Sequence, residues 1–222
     1  MPKNTFLNLN ERKRKKILNT LIKYFANNPY EKVDIEDVAK ECKISKGSMY
    51  QYFINKKDMY FYVINESIKK MFELVEFINF EKISIFEYLE KSFESNWKLL
   101  SEYPNEYLLL ERAIFGYDIP FKDEINRLFL NKFRETLMMI IIKSQKSGYI
   151  RDDISPDLIL NFMEGAIMNI KRFIIEYAKN IGGSSKDLPY DQIKNIQKSF
   201  VELLKNGLRK QNYIMTWQSY DY

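Results

Sequence analysis

Along most of this 222-residue chain, apolar side chains recur three or four positions apart, the spacing of one helix face. Ile17, Leu18, Leu21, Ile22 and Phe25 make the first such stripe, and Asn8 with Glu11 three residues on has the form of a capping box ahead of it. Asn27-Asn28-Pro29 predicts where that helix stops. Asp34 is placed to cap a short second helix with Ile35, Val38, Ala39 and Cys42 on its inner face. Ile44-Ser45 reads as a break, and Ser45 to Phe53 as a third short helix. Asn55 and Asp58 then open a long helix carrying Met59, Val63, Met71 and Leu74.

Past Asn79 the start and stop signals stay clear. Ser84 with Glu87 forms a capping box before Phe86, Leu89 and Phe93. Pro104 and Pro120 divide the pattern into a short helix near 105–115 and a long one near 121–147, with Gly148 placed as a C-cap. Ser155-Pro156-Asp157 combines a cap, a proline at the first helical position and a carboxylate for the helix dipole, and predicts a helix to about Ile181. Gly182 to Asp187 reads as a flexible linker, and Pro189 starts a last helix ending near Arg209. No segment alternates with the period of a strand. The predicted fold is all-α, with about nine helices.

Charge changes this picture, because it is unevenly placed. Residues 1–60 hold 13 Lys/Arg against 7 Asp/Glu, and the rest hold 22 against 23. The basic excess therefore sits in the first quarter and points to an anionic partner there, nucleic acid or a membrane surface. The chain has no histidine and one cysteine, Cys42. That excludes an intrachain disulfide, a cysteine metal cluster, Ser-His and Cys-His nucleophile pairs and a histidine base, so no enzyme, metal or cofactor is expected. The longest uncharged apolar stretch, Leu137 to Ile142, is too short for a bilayer, and Met1 to Lys16 has no signal-peptide core. A cytoplasmic protein is expected.

Residues 34–59 hold two short helices joined by a tight turn, the dimensions of a helix-turn-helix. Ala39 is small where the helices must approach, Val38, Ile44 and Met49 can fix their angle, and Ser45 can cap the second helix. That leaves Lys46, Gly47, Ser48, Gln51 and Tyr52 for the exposed side. The run Val38-Ala39-Lys40-Glu41, then Ile44-Ser45-Lys46-Gly47-Ser48, Tyr50, Tyr52-Phe53 and Lys56, resembles the DNA-binding segment of the tetracycline-repressor (TetR) family. A second, shorter resemblance covers Gly148 to Asp152, Ser155-Pro156 and Gly165, the junction before that family's penultimate helix. Residues 60–145 resemble the family in helix content alone.

The resemblance implies a helix-turn-helix domain over residues 1–57 and a ligand-binding and dimerisation domain over 58–222. It implies that Lys46, Gly47, Ser48, Gln51 and Tyr52 face base edges, and that Tyr50 and Lys56 contact phosphate. The chemistry suits those roles: glutamine reads adenine bidentately, lysine donates to guanine, and a glycine lets the helix backbone lie close to DNA. Beside such a motif the basic run Arg12 to Lys16 adds sequence-independent phosphate attraction. Two positions depart from the family pattern. Lys43 stands where a turn glycine is usual, at a cost of about 1 kcal/mol if the residue is left-handed, and Cys42 stands where alanine is usual and reads as a buried core thiol.

The implied C-terminal domain encloses a small-molecule effector, apolar or aromatic, near Trp97, Tyr107, Phe115, Tyr117 and Met163. Taken singly, each of these is better explained by ordinary packing than by ligand contact. Apolar stripes on the last two helices, Phe162, Ala166, Ile170 and Phe173 and then Ile193, Ile196, Phe200, Leu203 and Leu204, suit either closure of the chain's own core or a partner helix, and the resemblance implies a homodimer through a four-helix bundle. The expected function is a homodimeric repressor released from a double-stranded DNA operator by its ligand. The competing readings are a small-molecule-binding protein with a vestigial DNA-binding motif, an all-α enzyme and a basic membrane-surface protein. No role follows for the tail 212–222.

Overall fold

The computed structural model describes residues 2–76, 83–116, 119–183 and 187–208. These are helical, with no strand among them. The helices are α1 (Asn4–Leu7), α2 (Glu11–Asn27), α3 (Ile35–Cys42), α4 (Lys46–Tyr52), α5 (Lys56–Glu76), α6 (Ile85–Glu102), α7 (Pro104–Phe115), α8 (Lys122–Lys146), α9 (Pro156–Asn180) and α10 (Tyr190–Leu208). A 3-10 turn, Tyr30–Lys32, links α2 to α3. The expected nine helices are α2 to α10. The tenth, α1, is one turn long and carries no period for a sequence pattern to reveal.

Most ends follow the predicted caps. Asp34 accepts from the Glu36 amide, and Ser84 and Glu87 bond reciprocally as a capping box. Pro104 and Pro156 occupy first-turn positions, and Gly148 takes φ 72° just after α8. One cap differs. Asn10, not Asn8, accepts from the Lys13 amide at 2.8 Å and starts α2, because Asn8 is already used as the C-cap of α1.

The chain divides into two compact units, residues 1–79 with 91–133 and residues 80–90 with 134–222, the division falling inside α6 and α8. In the first unit α2 packs against α3, α5 and α7. Ile17, Leu21, Phe25, Val38, Met49, Phe53, Met59, Val63 and Leu109 are all at most 1% exposed there. An aromatic chain runs from Phe25 through Tyr60 and Tyr30 to Phe121, and burial pushes the Tyr60 hydroxyl up to about 12. In the second unit Leu137, Ile141, Ile150, Ile159, Met163, Val201 and Leu204 close the core. Arg134 pairs with Glu164, and the Arg151 amide donates to the Leu208 carbonyl at 3.0 Å.

The apolar stripes of α9 and α10 split between two faces. Ile193 and Leu204 join Val201 and Leu208 in the core of their own unit. Phe162, Phe173 and Leu203 point outward, with Ala166, Ile170, Ile196 and Phe200 half-buried between. An apolar run wider than one helix face serves two surfaces, and spacing alone does not say which residue serves which.

Candidate nucleic-acid interface

Helices α3 and α4 meet at a turn whose geometry is set by Lys43, at φ 60° and ψ 44°. In this left-handed conformation the Lys43 amide donates to Lys40 O, and the next amide, Ile44, to Ala39 O. Those bonds close the end of α3. Ser45 then accepts from the Ser48 amide at 3.1 Å and starts α4 in a new direction. Val38 and Met49 are fully buried and Ala39 is 1% exposed, so the inner faces of both helices are locked. A side chain at a left-handed residue carries a steric cost that glycine avoids. Lys43→Gly should therefore raise the stability of this unit by about 0.5–1 kcal/mol, read as a higher urea midpoint, whereas Lys43→Val should lower it.

Five of the seven residues expected to touch DNA lie together on the outer surface of α4. Lys46, Gly47, Tyr50 and Gln51 are exposed and Ser48 is half-exposed. Lys46 Nζ stands 3.9 Å from carboxylate oxygens of both Asp34 and Glu36, and Ser48 shares a hydrogen bond with Ser45. A Cβ added at Gly47 would meet Ser45 Oγ at 3.7 Å, an ordinary contact. The free protein therefore has no packing need for glycine at that position.

Lys56, at the start of α5, is held back against the 3-10 turn. Its Nζ donates to Glu31 O at 3.2 Å and lies 4.7 Å from the centre of the Tyr30 ring. Burial pushes its ammonium group below the usual lysine range. With Lys46 and Tyr50 it lines a shallow depression that also contains Glu31, Lys32 and Asp34.

Tyr52 departs from expectation. It is 8% exposed and not on the outer side. It stands three residues after Met49, on the same helix face, and Phe6 packs on it with ring centres 6.0 Å apart. The Lys13 ammonium lies 5.8 Å from its ring centre. Phe6, with only Leu7 and Leu9 near it in a short polar N-terminus, gave no helical period that could have predicted this contact. Of the basic run, Arg14 donates to Leu7 O at 3.0 Å and Lys15 pairs with Glu11, while Arg12 is exposed or half-exposed with its neighbours.

The residues expected around an effector divide between the two units. Trp97, Tyr107 and Phe115 are half-buried in the first unit, Met163 is fully buried in the second, and Tyr117 lies outside the described residues. Among the described residues, Arg112 Nη1 and Ser67 Oγ are buried without a hydrogen-bond partner. Cys42 is buried as expected of a core thiol, and burial pushes its pKa up. No group of three or more His, Cys, Asp or Glu among the described residues could hold a metal ion, and no described helix is long and apolar enough to cross a membrane. The tail 212–222 lies outside the described residues.

Residues 17–63 match the family model described as bacterial regulatory proteins, tetR family. An uncharacterized HTH-type transcriptional regulator of Bacillus subtilis (strain 168), YuxN, is 40% identical over 60 residues, 27% of this chain and 21% of that protein. The match thus spans about a fifth of that relative. The fatty acid metabolism regulator protein of the same organism is 22% identical over 192 residues, 86% of this chain and 93% of its own. The solved transcriptional regulator FadR from Bacillus subtilis, in complex with stearoyl-CoA, shares the fold with a TM-score of 0.65 at 21% identity, over 87% of this chain and 98% of its own. Residues 17–63 of this chain are thus similar to the tetR family of bacterial regulatory proteins, and over most of its length the chain shares the fold of a solved transcriptional regulator.

Proposed function

We propose that the chain acts as a homodimeric repressor that reads duplex DNA with α4 and leaves it when a small molecule binds. The observation that carries this reading is the locked turn at Lys43 and Ser45, which projects Lys46, Gly47, Ser48, Tyr50 and Gln51 from one surface. Lys46, Gly47, Ser48 and Gln51 face base edges, while Tyr50 and Lys56 contact phosphate. The spare room at Gly47 supports a close approach of DNA, since the fold alone tolerates a larger residue there. Lys56 must exchange its bond to Glu31 O for a phosphate oxygen. Tyr52, being buried, serves the domain by supporting α4 from behind. In functional terms residues 1–57 read DNA and residues 58–222 sense the effector and dimerise.

A second copy is supported by the outward row on α9 and α10. Phe162 is 55% exposed and Leu203 73% exposed, on helices whose other faces are already packed. A two-fold dimer carries two α4 helices, and reading successive major grooves requires them about 34–36 Å apart.

For the effector, the similarity to a regulator solved with stearoyl-CoA supports a long acyl thioester. Trp97, Tyr107 and Phe115 are the aromatic side chains on α6 and α7 suited to its apolar part. The unpaired Arg112 Nη1 offers charge to an anionic group. A ligand that binds better to the conformation with the wrong helix spacing releases DNA by population shift.

Gel-shift titration against the DNA flanking the chain's own gene tests the reading. Specific retardation should weaken by about 10³–10⁵-fold between 50 and 200 mM salt if six to ten phosphates are contacted, and stearoyl-CoA should reverse it where free CoA does not. Gln51→Ala should relax preference at one base position, while Lys56→Ala should weaken all sequences alike and lower the salt slope by about 1. Ligand binding without sequence-specific retardation would instead establish a small-molecule-binding protein whose DNA-binding motif is vestigial.

A further inference from the structure

Helix α4 is seven residues long, and its last four main-chain carbonyls, those of Met49 to Tyr52, have no acceptor role inside the helix. Met49 O accepts from the Phe53 amide at 2.9 Å. The other three are all met by the first residues of the chain. Lys3 Nζ donates to Tyr50 O at 2.9 Å, Thr5 Oγ1 to Gln51 O at 2.6 Å, and the Lys3 amide to Tyr52 O at 2.8 Å. The Lys3 ammonium thus also sits at the negative end of the α4 dipole.

The arm that brings these donors is itself anchored. Phe6 is 0% exposed, with ring centres 4.9 Å from Phe53 and 5.4 Å edge-on from Tyr62. A two-turn helix is not stable on its own, and its last turn frays unless something outside holds it. Gln51 lies in that last turn.

We infer that Lys3 and Thr5 are positioning residues for DNA recognition: by capping the end of α4 they hold Tyr50 and Gln51 in one pose. This rests on the reading that α4 contacts DNA. Neither residue touches bases in this account. Their donors are engaged by the recognition helix, and they act through it.

The test compares the full chain with the double variant Lys3→Met/Thr5→Val, which removes both side-chain donors at exposed positions, and with Lys3→Arg/Thr5→Ser, which keeps a donor at each. The probes are a duplex selected by the unsubstituted chain from a random-sequence pool and an unrelated duplex of equal length. The Met/Val variant should bind the selected duplex about tenfold more weakly, with a smaller loss on the unrelated duplex and the salt slope unchanged. In the free protein, the amides that end α4 should exchange faster. The Arg/Ser variant should restore both properties.

Unchanged affinity and exchange in the Met/Val variant would overturn the inference, and so would failure of the Arg/Ser variant to restore binding. Equal weakening on both duplexes with a salt slope lower by about 1 would make Lys3 a phosphate contact and also overturn it. If the unsubstituted chain selects no duplex, the proposed DNA-binding function fails. Amide exchange at the end of α4 would still decide whether the arm caps the helix.

Discussion

A Leu203→Asp chain should sediment as a monomer and bind a palindromic duplex about 10²–10⁴-fold more weakly than the unsubstituted chain. Leu203 is 73% exposed on α10, so within one copy the aspartate stays in water and should change stability by no more than about 0.5 kcal/mol. In a two-fold interface built on this face, symmetry would place the new carboxylate at the contact from both copies, each losing water without gaining a partner. Loss of the dimer separates the two α4 helices, and the second half-site is then bound from bulk solution and not from a tethered neighbour. Equilibrium sedimentation beside a DNA titration measures both effects. A Leu203→Asp chain that remains dimeric would rule out this face as the interface, and the exposed row would then need another explanation.

The second large effect concerns the N-terminal arm. Phe6→Ala should cost the first unit about 3–5 kcal/mol, the range for removing a fully buried aromatic ring, and lower its melting temperature by about 10 °C. The ring packs against Tyr52, Phe53 and Tyr62, and truncation removes all three contacts at once. Leu7→Ala is the matched control. Leu7 is the next residue but is 48% exposed, so its truncation should have a small effect on thermal melting. Equal melting of the two variants would mean that the arm is not bound in solution.

Helix identity and most boundaries were legible because they depend on neighbours within about four positions. A cap at Asp34, Ser45, Ser84 or Ser155 is a local bond between a side chain and an amide two or three residues on, and the spacing displays it. The turn at Lys43 was legible through the family resemblance, which has a glycine there, and the structure gives Lys43 the left-handed conformation that a glycine would favour. The motif residues on α4 followed from helix spacing and from the family resemblance.

What could not be read depends on partners far along the chain. Phe6 meets Tyr52 across 46 positions, which is why α1 went unpredicted and Tyr52 was expected outside. Lys56 reaches Glu31 O across 25 positions. Whether Ile193 or Leu203 faces the core was undecided because both are apolar and both suit a helix face, and packing alone sorts them. The sequence by itself determined the all-helical class, the helix-turn-helix and the basic first quarter, since each rests on local periodicity, local caps or simple charge. Only the tertiary structure decided which side chains of α4 stay exposed and which donors close the end of that helix. Those outcomes depend on distant groups competing for the same surface and the same carbonyls, and that competition exists only once the chain has folded.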